Sequence, residues 1–119
     1  MTVWKDGEFL SRPFHTIWCR NDAHAPDFLE LQLDDIDEGV FRFRRLPTLT
    51  LARERMAFES LTGVPVLAPQ MVLLYKSNAV EEYAQDFRNS VSALDAAARA
   101  WLKDALAKLY ARHPWAEEL

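Results

Sequence analysis

Phe28-Leu29-Glu30-Leu31-Gln32-Leu33-Asp34-Asp35 is the segment whose reading decides the fold. Leu29, Leu31 and Leu33 alternate with Glu30, Gln32 and Asp34, the two-residue period of a strand with unlike faces. The leucine face is patterned for a core. The other face sets two carboxylates and an amide in a row, all pointing one way. Such a row is either solvated surface or the floor of a cleft where a carboxylate holds a metal ion.

Upstream, His15-Thr16-Ile17-Trp18-Cys19-Arg20 is β-branched and aromatic and predicts another strand. His15, Ile17 and Cys19 share one of its faces, and Thr16, Trp18 and Arg20 the other. Asn21 to Pro26 has the composition of a loop, and Asp6-Gly7 is a turn signal between poorly alternating flanks. Downstream, Asp34-Asp35-Ile36-Asp37-Glu38-Gly39 forms an acidic connection closed by glycine. Val40-Phe41-Arg42-Phe43-Arg44 then alternates again, so a β-hairpin joining the Leu29 and Val40 strands is expected. Arg42 and Arg44, opposite Phe41 and Phe43, fit a charged edge strand or a grip on an anion.

The period changes at Leu51. A short helix is expected over Ala52 to Leu61, capped by Thr50 and ended by Thr62-Gly63. Val64 to Leu67 reads as extended, with Pro65 at an edge or strand start. Pro69 opens a helix that runs through Lys76, and Tyr83, Phe87 and Val91 mark another over about 81–91. Asp95 caps the last helix, whose stripe is Ala98, Trp101, Leu102, Ala105 and Leu109, and His113-Pro114 ends it. Strands first and helices last predict an α+β domain. At 119 residues one domain is expected, sheet-rich over about 1–67 and helical over about 68–119.

The net charge of −4 lends no support to a nucleic-acid-binding surface. A lone cysteine, Cys19, cannot form an internal disulfide and fits a reducing compartment. The N-terminus lacks the blocks of a signal peptide, and no apolar run is long enough to span a bilayer. A cytoplasmic protein with no membrane partner is expected. His15 and Cys19 are too few for a zinc site, and His24 and His113 sit in loop-like contexts without a metal role.

Three blocks carry a resemblance: the His15 to Arg20 segment, Phe28-Leu29-Glu30-Leu31-Gln32-Leu33, and Gly63-Val64-Pro65-Val66-Leu67-Ala68-Pro69-Gln70-Met71-Val72-Leu73-Leu74-Tyr75-Lys76. With Leu94-Asp95 to Trp101-Leu102 and His113-Pro114-Trp115, their order resembles the second half of a bacterial aminoglycoside nucleotidyltransferase-like protein, over about Phe14 to Trp115. The resemblance implies a partial nucleotidyltransferase fold and transfer of a nucleotidyl group from a magnesium nucleotide to a hydroxyl. Two magnesium ions clamp the attacking and leaving oxygens in such a displacement, and they prefer carboxylate oxygens. Glu30 falls where the family carries its third carboxylate, as catalytic and metal residue. Lys76 and Asp86 fall near its nucleotide-binding positions.

The chain departs from the family in two places. The Gly-Ser turn and the paired Asp-x-Asp belong upstream of the His15 block, where there is only a short leader. Asp35-Ile36-Asp37 spells the pattern, but it follows the Glu30 strand and sits in an expected turn. Between Lys76 and Asp86, where relatives carry basic residues, the chain has Glu81 and Glu82, which weakens a triphosphate site. The leading expectation is therefore a truncated or degenerate domain, catalytically incomplete alone. A homodimer or partner chain would cover an exposed sheet edge and bury some of Trp4, Phe9, Phe14 and Trp18. An active magnesium-dependent transferase, whose acid residues Glu30, Asp34, Asp35 and Asp37 assemble a site unlike the family's and whose small cationic hydroxyl acceptor is met by Asp34 to Glu38, is one alternative. A nucleotide- or small-molecule-binding module without turnover is the other.

Overall fold

Alternation in the N-terminal part yields a two-stranded antiparallel ribbon of Thr16–Arg20 (β1) and Phe28–Gln32 (β2), in which Cys19 pairs with Leu29, Ile17 with Leu31 and Trp18 with Glu30. The computed structural model describes residues 5–9, 11, 14–24 and 28–119, and its contacts divide the chain into two units, Met1–Asp35 and Ile36–Leu119. Ahead of the ribbon, Gly7 takes a positive φ of 85° in a turn closed by the Glu8 amide on the Lys5 carbonyl.

The leucine face does not form a core. Leu29, Leu31 and Leu33 remain 51%, 43% and 41% exposed, and β2 has β1 as its only sheet neighbour among the described residues. The expected pairing of the Leu29 strand with the Val40 strand is also corrected. Asp35–Asp37 (β3), inside the supposed acidic loop, pairs with Val40–Phe43 (β4), which pairs in turn with Leu46–Ala52 (β5). The turn between β3 and β4 is Glu38-Gly39, with φ of 52° and 76°. Two consecutive positive values are what a two-residue hairpin needs, and glycine supplies the second without steric cost. Since β4 lies in the middle of this sheet, Arg42 belongs to a central strand with its side chain in solvent, and Arg44 lies in the following turn. The β4–β5 register shifts between Arg42 and Phe43, and Pro47, which has no amide hydrogen, lies in the slipped stretch.

The helix expected over 52–61 is replaced by a 3-10 turn at Arg53–Arg55 and a hairpin of Ala57–Glu59 (β6) with Pro65–Leu67 (β7). Arg53, Glu54, Met56 and Ala57 are fair helix formers locally. Pairing with β7, made possible by the reversal at Gly63 (φ 79°), overrides that weak preference. Pro65 stands at the start of β7, as expected.

The helices follow their local signals closely. Pro69 opens Pro69–Lys76 (α1), and the helix expected from 81 begins later, as Ala84–Ser90 (α2) with a 3-10 turn at Val91–Ala93. Asp95 caps Ala96–Leu109 (α3) by accepting from the Ala98 amide at 2.7 Å. Pro114–Glu118 (α4) closes the chain. The core of this unit lies between the sheet and the helices. Phe41, Phe43, Leu49 and Leu51 enter from β4 and β5, Met71, Leu73 and Leu74 from α1, and Leu102 and Leu106 from α3. Trp101 ties α3 to the sheet, its indole N–H donating to the Thr50 carbonyl at 2.8 Å. The result is an α+β architecture, with small antiparallel sheets followed by four helices among the described residues. Among the described residues no helix is long and apolar enough to cross a membrane.

Candidate functional site

Glu30 sits mid-strand on the solvated face of β2, opposite Trp18, and its Oε1 accepts from Gln32 Nε2 at 3.2 Å. Asp35 and Asp37 lie on strand β3, not in the expected turn; His15 Nε2 stands 3.6 Å from Asp35 Oδ2, an ion pair when the imidazole is protonated. Among the described residues no group of three or more His, Cys, Asp or Glu side chains is placed to hold a metal ion. The surroundings of Glu30, one amide and one indole, do not fit magnesium, which takes several hard oxygens at once.

Lys76 and Asp86 come together. Lys76 ends α1, Asp86 lies in the first turn of α2, and Nζ approaches Oδ2 to 2.5 Å. Nζ also lies 4.8 Å from the centroid of the Tyr83 ring. The ammonium is thus engaged by a carboxylate and an aromatic face within its own fold. This joins α1 to α2 and leaves less charge for a phosphate.

Behind this pair lies a buried polar cluster with no forecast in the local sequence. Ser77 donates its hydroxyl to the Leu74 carbonyl at 2.7 Å and meets the Tyr110 hydroxyl at 2.9 Å. His113, expected in an unremarkable loop, is buried instead. Its Nδ1 accepts from the Trp115 amide at 3.2 Å, so Nε2 carries the proton and donates to the Ser77 carbonyl at 2.8 Å.

A cleft of about 450 Å³ opens between the start of α1, the start of α3 and the β6 hairpin, with Phe58, Pro69 and Ala98 among its apolar lining. Arg55 reaches both oxygens of Asp95 at 3.1 and 3.2 Å across its rim, and Gln70 Nε2 donates to the Arg55 carbonyl at 2.9 Å. The Ala98 amide, followed by the Arg55 guanidinium and the Ala97 amide, holds the Asp95 carboxyl below its ordinary value against the opposing effect of desolvation. Asp95 was legible as a cap, but Arg55 as its partner was not, because the arginine stands 40 residues away.

A pH dependence follows from the lowered value. The folded state binds the Asp95 proton less tightly than the unfolded chain does. Its contribution is therefore fully present above the ordinary value of 3.8 and is lost as pH falls through the folded value. Asp95→Asn keeps a capping acceptor and removes the titration. Urea midpoints followed from neutral to strongly acidic pH are expected to fall less steeply in this variant than in the native chain.

No protein-family model, curated protein or solved structure matches the chain.

Proposed function

We propose that this chain is a catalytically incomplete, nucleotidyltransferase-like domain of the cytoplasm that acts by joining a second copy of itself or a partner chain through its N-terminal ribbon. The observation that carries this is the exposure of the ribbon. Leu29, Leu31, Leu33, Trp18 and Phe28 are all more than two-fifths exposed, and both outer edges of the β1–β2 pair are open among the described residues. Phe9 and Phe14, also expected at the interface, are exposed as well, while Trp4 lies outside the described residues. An isolated two-stranded ribbon is marginally stable in water, and adding strands or covering its apolar face stabilises it. The nucleotide, the magnesium ion and the cationic acceptor implied by the resemblance have weaker support, since Lys76 is held by Asp86 and Glu30 stands beside a single amide.

Lysines at Leu29 and Leu31 test this without disturbing the buried core of the second unit. Leu29→Lys/Leu31→Lys is expected to elute on light-scattering chromatography at the mass of one chain, where the native protein elutes as the larger species. Equal masses for the two proteins would overturn self-association and leave only the partner chain, whose binding the same two lysines should abolish.

A further inference from the structure

The ribbon specifies how a second copy would dock. The Leu33 amide donates to the His15 carbonyl at 2.7 Å, which fixes the phase of β2. In an antiparallel pair backbone groups alternate in direction, so Leu29, Leu31 and Leu33 turn theirs toward β1. Phe28, Glu30 and Gln32 therefore turn theirs toward the open edge. Any strand added there must bond to these three residues.

Self-pairing about a two-fold axis admits few registers, and the side chains discriminate among them. With Glu30 on the axis, two carboxylates face each other, which destabilises a sheet pair. With Leu31 on the axis, Glu30 of each copy lies opposite Gln32 of the other, and Leu29 lies opposite Leu33. Glu30 and Gln32 already hydrogen-bond along a single strand at 3.2 Å, so their lengths and chemistry match. The leucines of the two copies then form one apolar band continuous with Ile17 and Cys19, which share that face. The open edge of β1 offers no equal match, because an axis through Trp18 sets Thr16 against Arg20.

We infer that the open edge of β2 pairs antiparallel with the same edge of a second copy about a two-fold axis at Leu31, forming a four-stranded sheet. This rests on the self-association proposed above and names its register. Leu31 would meet its counterpart at a non-hydrogen-bonded position, where Cα atoms stand about 4.5 Å apart, within the reach of a disulfide.

Single-cysteine variants test the register. In a Cys19→Ser background, Leu31→Cys and Trp18→Cys are oxidised under mild conditions, and each protein is also examined by sedimentation. Leu31→Cys is expected to form a disulfide-linked dimer on the order of 100-fold faster than Trp18→Cys at micromolar protein, because pairing raises the effective thiol concentration to millimolar. A sedimenting dimer in which Trp18→Cys links faster, or neither links, overturns the β2 register and leaves self-association standing. A monomer in the Cys19→Ser background overturns both.

Discussion

Replacing Trp115 by alanine is expected to lower the unfolding free energy by about 3–5 kcal/mol, the cost of truncating a large buried aromatic side chain. Trp115 is 2% exposed although it lies four residues from the end of the sequence. Its indole stacks on the Phe87 ring at 4.8 Å and 11°, and the His113 ring meets it edge-on at 5.3 Å. Removing it leaves a cavity beside α2 and takes away the main anchor of α4, a helix of five residues that has no independent stability. Urea denaturation followed by far-ultraviolet circular dichroism measures the loss. Trp115→Phe keeps a ring against Phe87 and should recover much of it. A Trp115→Ala protein as stable as the native chain would mean that the C-terminal turn is not part of the core.

His113→Ala is expected to cost about 3 kcal/mol, since two buried backbone groups lose their partner at once. The Ser77 carbonyl loses its donor and the Trp115 amide its acceptor. His113→Asn restores an acceptor at the start of α4 but cannot span to Ser77, so about 1 kcal/mol should return. Amide hydrogen exchange separates the two contributions. The Trp115 amide should exchange fast in the alanine variant and more slowly in the asparagine variant. Equal stability of the two variants would place the whole cost at the Ser77 carbonyl.

These two residues also mark where the sequence stops being informative. The start of α3 was legible because its signals are local: a capping aspartate followed by an apolar stripe at helical period. The same holds for α1, where proline occupies the first turn. His113 carries no such mark, because its meaning comes from Ser77, 36 residues earlier. Strand existence was legible at Thr16–Arg20 and Phe28–Gln32, whereas strand partnership was not. Alternation states that a strand has two faces and says nothing about which neighbour it takes. The Leu29 strand therefore paired backward with β1, and the supposed acidic loop supplied the partner of β4. The segment at 53–59 failed for the converse reason, since a modest helical preference yielded to pairing with Pro65–Leu67.

Of the candidate residues, Glu30 lies on the solvated strand face that alternation assigned to it, while Lys76 and Asp86 meet each other. That contact pairs a partly exposed ammonium with a partly exposed carboxylate where α1 meets α2. The exposure of Leu29, Leu31 and Leu33 is the larger anomaly, since a segment patterned for a core is more than two-fifths exposed. The self-association proposed above would set the leucines of two copies side by side in one apolar band, treating one chain as incomplete.

Sedimentation equilibrium of the native protein, from micromolar to submillimolar concentration, tests this most directly. The expected result is a reversible rise toward twice the 13.8 kDa mass of the chain. A mass of one chain throughout that range would contradict self-association and leave the open edge of β2 without its proposed partner.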